Sequence, residues 1–184
     1  MTQALVCIDF INEIVGETGK LAQKGYARFT EQHGTLQRLA ALQSEFREKG
    51  HRVVHVHLGF SPDYADHPAN SPLIGGARNG GILQLGTPST ELHSVVGAMP
   101  GDLVLVKKRI SAFYETGLEP TLRVLGIREL VIAGVATDIA VQSAARDAHD
   151  RDFSVEIVGA CCAAASQDDH DQALANIAKF ARVT

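Results

Sequence analysis

The segment ELVIAGVATDIAVQSAARDAHDRDFSVEIVGA, residues 129–160, has an apolar run at each end and an alanine-rich stretch between them. The runs ELVIAGVA and SVEIVGA have the length and the Val and Ile content of buried β-strands. Thr137 is of a residue type favoured at helix N-caps, and a helical pattern follows it to about Arg151. A strand, a helix and a second strand predict one right-handed βαβ unit.

The same alternation extends over the rest of the chain. Three more apolar runs are ALVCIDF (4–10), RVVHVHLGF (52–60) and DLVLVK (102–107). Apolar residues at helical spacing predict further helices at residues 36–49, 118–125 and 168–180. Strands that alternate with helices predict an α/β fold with a doubly wound, mostly parallel sheet. The length of 184 residues fits a single domain, 1–184.

The composition of the strands also predicts their burial. Four of the five runs show little polar alternation, which is typical of parallel strands covered on both faces. His55 and His57 suggest that the 52–60 strand has a more polar face or end.

The overall composition limits the possible partners. A net charge of -4 with 45% hydrophobic and 21% charged residues gives no electrostatic reason to expect nucleic acid or an anionic membrane. A small-molecule substrate is therefore expected. Gly75 to Gly81 lacks the end of a P-loop, and no nucleotide, flavin or other cofactor is expected.

The first residues and the cysteines bear on location. MTQALVCIDF has no basic segment and no cleavage site, and the chain has no uninterrupted apolar run of membrane-spanning length. Three cysteines, two of them adjacent, make a poor disulfide framework. We expect a cytoplasmic protein.

Ligands of a doubly wound sheet bind beyond the carboxyl ends of its strands. Asp9 and Phe10 end the first strand, and Lys107 and Arg109, on one side of the chain, follow the third. Asp9 is a candidate proton carrier or a simple turn cap, and the lysine is a candidate site cation or part of a solvated rim. The helix beginning at Thr137 adds backbone N–H groups that can hold an oxyanion.

Two other features have more than one interpretation. The spacing of His55, His57, Asp63 and His67 allows a metal hypothesis, but a polar strand end is the favoured interpretation, and no metal site is predicted. The stretch Gly59 to Gly101 has no regular pattern, so it is either a lid over the site or a surface excursion.

Three segments together resemble a known family. VCIDFINE, then VKKRISAFYETGLEPTLRVLGIRELVIAGVATDIAVQSAARDA, then VEIVGACCAAAS with a later His170, are similar to the isochorismatase-like superfamily, also called the cysteine-hydrolase or nicotinamidase-like family. The resemblance covers nearly the whole chain and is poorest from Phe60 to Pro100.

The resemblance implies a three-layer α/β/α fold and, in most members, an Asp-Lys-Cys triad that hydrolyses a C–N bond of an amide or ureide. Asp9 matches the family aspartate and Lys107 the family lysine. The Val135-Ala136 peptide matches a bond that is often cis in relatives. The residues expected on this basis to contact substrate are Phe10, Arg109, Phe113, Val135, Ala136 and Thr137.

The position of the family nucleophile falls on Ala140, which has no atom that could attack a carbonyl. Cys7, Cys161 and Cys162 are more typical of packing residues than of a replacement. Three explanations stay open: a natural hydrolase that works without cysteine, a deliberate Cys-to-Ala change, and a binding protein without activity.

The true isochorismatases also have a small residue at this position and an Arg two positions after the lysine, as Arg109 is. They differ from this chain at Ile11, Ala136 and Asp138, so isochorismate is a disfavoured substrate. Relatives commonly form oligomers, and we expect a homo-oligomer. We also expect the last family segment to be short, because the chain ends at Thr184.

Overall fold

The computed structural model describes residues 3–184. Six parallel strands form one sheet in the order β3-β2-β1-β4-β5-β6. The strands are β1 (Gln3–Ile8), β2 (Arg52–Leu58), β3 (Leu103–Lys107), β4 (Glu129–Gly134), β5 (Ser154–Ile157) and β6 (Arg182–Val183). The chain therefore starts near the middle of the sheet, builds outward to β3, and then crosses back to the other side of β1.

Helices cover both faces of the sheet. They are α1 (Asn12–Val15), α2 (Tyr26–His33), α3 (Thr35–Glu48), α4 (Ala77–Gly80), α5 (Leu118–Val124), α6 (Gln142–His149) and α7 (Gln167–Ile177). One core contains Leu39 and Phe46 of α3, and the other contains Leu118 and Leu122 of α5 with Ala145 of α6. This is the three-layer α/β/α fold that the sequence resemblance implied.

The edge strand β3 corrects one expectation. Val104 and Val106 have 47% and 36% of their surface exposed, so β3 is covered on one face only. An apolar run alone cannot distinguish an edge strand from a central one, because both can be rich in Val and Leu. The histidines of β2 lie on a buried face: His55 and His57 are both buried, so the more polar face expected for this strand is not exposed to solvent.

Several element boundaries also differ from those expected. Thr137 is not an N-cap but begins a short π-helix, Thr137–Val141, that leads into α6. The helix α6 ends at His149 rather than near Arg151, and α7 ends at Ile177 rather than Phe180. The helix α2 and the two-residue strand β6 were not expected; a strand of two residues is too short to show a period.

The segment between β2 and β3 is packed against the domain. Phe60 N–H donates to Leu83 O at 2.8 Å, and Leu85 N–H donates to Phe60 O at the same distance. Phe60 and Leu83 are fully buried. Within residues 3–184, no helix is long and apolar enough to cross a membrane.

Candidate active site

A cavity of about 110 Å³ opens at the carboxyl ends of β1, β2, β3 and β4. A buried water takes up about 10–15 Å³ of such space, so the cavity has room for a ligand of roughly seven to eleven non-hydrogen atoms. Its lining is mainly apolar: Asp9, Ile14, Leu21, Lys24, Tyr26, Leu58, Leu73, Ile74, Lys107, Ile110, Val135, Ala136, Ile139 and Ala140.

Asp9 is the acid of this cavity. It directly follows β1 and is only 3% exposed. Its backbone has φ 62°, in the left-handed region, which Asp tolerates better than most residues. The turn directs the carboxylate toward β2, where Leu58 N–H donates to Asp9 Oδ1 at 2.7 Å.

Lys107 lies at the end of β3 and is 1% exposed. Its Nζ is 2.8 Å from Asp9 Oδ2. The same ammonium donates to Ile110 O at 2.9 Å and to Arg109 O at 3.3 Å. All three N–H bonds of the ammonium therefore have an acceptor, so burial leaves no donor of Lys107 without a partner.

The protein partners of the Asp9 carboxylate are both donors. Leu58 N–H donates to Oδ1, and the Lys107 ammonium lies against Oδ2. Each carboxylate oxygen uses one acceptor position and keeps another free. Asp9 can therefore accept a proton from a molecule in the cavity.

The turn after β4 forms the opposite wall. The Val135-Ala136 peptide is cis, as the resemblance implied. The turn is fixed by Thr137 N–H, which donates to Ala163 O at 2.9 Å, whereas Ala136 N–H donates to no atom of residues 3–184. Ala140, in the π-helix, lines the cavity and is 4% exposed. The turn thus offers a backbone donor and an apolar floor.

Gly134 allows this turn to lie close to Asp9. A Cβ at Gly134 would lie 2.9 Å from Ile8 Cβ and 2.8 Å from Val141 Cγ2. Since real Cβ atoms do not approach so closely, only glycine permits β4 to bring its turn against the end of β1.

The structure brings together some of the expected site residues and separates others. Asp9, Lys107, Ala140, Val135 and Ala136 line one cavity. The side chains that do not line it are those of Phe10, Arg109, Phe113 and Thr137.

Each of these four side chains has a partner elsewhere. Phe10 and Phe113 are buried in the two hydrophobic cores. Arg109 donates from Nη1 to Asp66 O at 3.0 Å, and Thr137 Oγ1 is hydrogen-bonded to His170 Nδ1 at 2.8 Å. These contacts give no support to the expectation that the four side chains bind substrate.

A wall of the cavity that sequence analysis missed comes from the segment between α1 and α2. Leu21 and Lys24 line the cavity from this segment, and Tyr26 lines it from the first position of α2. Burial raises the pKa of Tyr26, and the neighbouring carboxylates of Asp138 and Asp169 raise it further. The Tyr26 hydroxyl therefore stays protonated. The segment has no strand or helix period, and no sequence signal marked it.

The side chains whose spacing suggested a metal site do not lie together in the structure. His55 and His57 are buried on β2, Asp63 accepts from Ser61 Oγ at 2.7 Å, and His67 Nδ1 lies 2.9 Å from Tyr64 O. Within residues 3–184, no three His, Cys, Asp or Glu side chains are grouped so as to hold a metal ion. The described residues thus offer no cluster of ligands in support of the metal hypothesis.

The three cysteines are free and buried. Burial raises the pKa of Cys7 and Cys162 to about 12 and that of Cys161 to about 11. None of them lines the cavity, so none is placed to replace a nucleophile at position 140.

The fold and this cavity define a three-layer α/β/α protein with a buried Asp-Lys pair beneath a strand-to-helix turn. The chain belongs to the isochorismatase family: the Isochorismatase domain model matches residues 3–184. Ureidoacrylate amidohydrolase RutB of Methylorubrum extorquens is 32% identical over 192 residues, which cover 97% of this chain and 77% of that protein.

Solved structures agree with this assignment. An isochorismatase family protein from Desulfovibrio vulgaris superimposes with a TM-score of 0.88 at 27% identity, over 99% of this chain and 93% of the other. Nicotinamidase PncA of Bacillus subtilis superimposes with a TM-score of 0.80 at 30% identity, over the whole of both chains. The protein is thus a hydrolase of the isochorismatase-like family.

Proposed function

We propose that this protein hydrolyses a C–N bond of a small amide or ureide by direct attack of water, without a covalent intermediate on residue 140. The observation that carries the proposal is the buried Asp9–Lys107 pair, with Nζ 2.8 Å from Oδ2, in the same cavity as Ala140. A carboxylate that is held by Lys107 and keeps free acceptor positions suits a general base.

The proposed reaction begins with a water beside Ala140, where a cysteine side chain would otherwise project. The water oxygen attacks the carbonyl carbon while its proton passes to Asp9. The carbonyl oxygen becomes an oxyanion, to which Ala136 N–H donates. When the C–N bond breaks, the leaving nitrogen takes the proton from Asp9, so the products are an acid and an amine or ammonia.

Lys107 has an electrostatic role in this scheme. Its ammonium is fully engaged with Asp9 Oδ2 and two backbone carbonyls, so it has no free donor for substrate. It holds the carboxylate in place and compensates its charge until the proton arrives. During attack, the positive charge of Lys107 also favours the negative charge that develops nearby.

The size and the lining of the cavity support a small substrate. Room for roughly seven to eleven non-hydrogen atoms suits a single-ring or short-chain amide. The related proteins named above, a ureidoacrylate amidohydrolase and a nicotinamidase, bear names of enzymes that act on such compounds. The apolar walls would contact the carbon skeleton and exclude water from all but the attacking position.

The test is release of ammonia from a panel of small amides and ureides, with pyruvate release from isochorismate measured in parallel. The protein is compared with Asp9→Asn, which removes the base, and with Ala140→Cys, which restores a thiol. Asp66→Asn is the matched control, because Asp66 pairs with Lys108 at 2.9 Å outside the cavity.

The proposal expects turnover by the unchanged protein and by Asp66→Asn, and a loss of at least about 100-fold in Asp9→Asn. Turnover only in Ala140→Cys would instead mean that the site is an amidohydrolase that lacks its nucleophile. Ligand binding without turnover in every variant, unchanged by Asp9→Asn, would mean a binding protein.

We also propose a cytoplasmic homo-oligomer. Three free, buried thiols suit a reducing compartment.

The edge strand β3 bears on the oligomeric state. Val104 and Val106 expose apolar surface on this strand, which supports contact with another copy of the chain. Light scattering on the protein and on Val104→Lys tests this: the substitution is expected to lower the mass to that of a monomer.

A further inference from the structure

The cavity contains one cation that the proposed reaction does not use. Lys24 ends a short 3-10 helix, Ala22–Lys24, and lines the cavity with an exposed side chain. Among residues 3–184, no carboxylate lies within ion-pair distance of its Nζ and no acceptor lies within hydrogen-bond distance. The ammonium is thus available to a ligand.

The charges of the cavity lining do not balance without a ligand. Asp9 and Lys107 compensate each other at the floor, and no other acid lines the cavity. Lys24 therefore adds to the lining a positive charge that no lining acid compensates, while the carboxylates of Asp138 and Asp169 lie near Tyr26 outside the lining. Tyr26 also lines the cavity, and its protonated hydroxyl is a second donor. A cation and a hydroxyl on one apolar wall suit a carboxylate better than a neutral group.

The position of Lys24 is fixed by the residue that follows. Gly25 has φ 117°, and a Cβ at this residue would lie 2.2 Å from Ala165 O. The glycine therefore lets the chain turn tightly against the segment after β5. This turn places both neighbours of Gly25, Lys24 and Tyr26, on the cavity.

We propose that Lys24 is a specificity-determining residue that selects substrates with an anionic group, such as a carboxylate, distant from the bond that is cleaved. The reacting carbonyl lies at the buried end, near Asp9 and Ala136, and the anion lies at the entrance beside Lys24. The orientation of the ligand in this inference rests on the proposed hydrolysis. The preference for an anionic ligand is a property of binding and does not require turnover.

The test compares two ligands of the same shape, fumaramate and fumaramide, which differ only in that a carboxylate replaces one amide. Binding is measured by calorimetry, and ammonia release is measured separately. The protein is expected to bind fumaramate about fivefold more tightly, as for a partly exposed charge pair. This preference is expected to decrease between about 0.01 M and about 1 M salt.

Three variants isolate the residue. Lys24→Met keeps the length of the side chain and is expected to abolish the preference, whereas Lys24→Glu is expected to reverse it. Lys49→Met is the control, because it makes the same change in net charge at an exposed residue outside the cavity. Where turnover is measured, Lys24→Met is expected to raise KM for fumaramate and to leave kcat unchanged.

Equal binding of the two ligands by the unchanged protein, no binding of either, or a preference that survives Lys24→Met would overturn the inference. Its failure differs from that of the proposed function. A charge preference without ammonia release supports Lys24 as a specificity-determining residue and contradicts the proposed hydrolysis. Turnover of both ligands with equal KM supports the hydrolysis and contradicts the role of Lys24.

Discussion

Lys107 reaches across β2 to Asp9, and its Nζ lies 2.8 Å from Asp9 Oδ2. Lys107 ends β3 and Asp9 directly follows β1, and these two strands are not neighbours in the sheet. The strand between them completes the site, because Leu58 N–H, at the end of β2, donates to the same carboxylate. Three adjacent strands therefore converge on Asp9. The pair is a feature of the sheet order and not of any local motif.

The stability of the fold is expected to depend on this pair. Lys107→Met leaves the Asp9 carboxylate buried without its cation, and breaking a buried pair from one side costs about 3–5 kcal/mol. Urea unfolding measures the loss. Adding Asp9→Asn to Lys107→Met is expected to restore part of it, because the buried charge is then removed.

Lys108→Met is the matched control. Lys108 also lies 2.9 Å from a carboxylate, that of Asp66, but both side chains are about one-third exposed, at 32% and 34%. The expected cost is at most about 1 kcal/mol. Equal costs at the two lysines would contradict the view that burial makes the Asp9–Lys107 pair important.

Gly25→Ala is expected to damage the cavity wall. The residue has φ 117°, and an added Cβ would lie 2.2 Å from Ala165 O, so strain and a backbone clash combine. We expect a loss of more than about 2 kcal/mol. Gly126→Ala, which has φ 68° and open space for a Cβ, is expected to lose only about 1 kcal/mol. Thermal unfolding compares the stabilities of the two variants. An equal loss of stability in both would show that a clash with Ala165 O does not add to the cost at Gly25.

The protein is expected to lose stability in mild acid. Burial lowers the pKa of His55, although Asp102 partly opposes the shift, so the folded state resists protonation. The unfolded chain takes up this proton below about pH 6.5. Unfolding is therefore favoured as pH falls below about 6.5, until the lowered folded pKa is reached. One such group contributes at most about 1.4 kcal/mol per pH unit.

Unfolding at a series of pH values between about 5 and 7 measures this slope. His55→Leu removes the titrating group. It is expected to reduce the slope of the unfolding free energy against pH by an amount that corresponds to at most one proton. His149→Gln is the comparison variant, because it removes a histidine that is exposed. An unaltered slope in His55→Leu would assign the acid sensitivity to other groups, such as His57 and His170, whose pKa values burial also lowers.

Ala140→Cys is expected to introduce one reactive thiol. Burial disfavours the thiolate and raises the pKa of the three native thiols to about 11 to 12, so at pH 8 at most about one in 1,000 of each is ionised. A thiol at position 140 faces the cavity with Asp9 as a base. Mass spectrometry after brief iodoacetamide treatment is expected to find one adduct in the variant and none in the parent.

The added substitution Asp9→Asn is expected to slow that alkylation. Modification of the parent at the same rate as the variant would show that one of the three native cysteines is accessible. No adduct in the variant would mean that residue 140 does not face the open part of the cavity.

Sequence patterns predicted the elements that are long and strongly apolar. The runs of β1, β2 and β4 were found where expected, and the resemblance gave Asp9, Lys107 and the cis peptide after Val135. The alternation of strands and helices was sufficient for the fold class, because few sheet topologies accommodate it.

The remainder depends on contacts between distant residues. The exposure of Val104 and the burial of His55 follow from the place of each strand in the sheet, which a single run of sequence does not encode. Lys24 and Tyr26 reach the cavity only because Gly25 packs on Ala165. Phe10 and Phe113 are adjacent to site segments in sequence, but their side chains point into the cores.

Because the chain crosses back over β1, the groups that line the cavity come from both halves of the sequence, which matters if the polypeptide is split in two. Asp9 and Lys24 precede the long connection between β2 and β3, whereas Lys107, Ala136 and Ala140 follow it. Two polypeptides separated within that connection would each carry an incomplete set of the groups that line the cavity. Ligand binding would return only when the two fragments associate and complete the sheet. The pair of fragments could therefore serve as a complementation reporter.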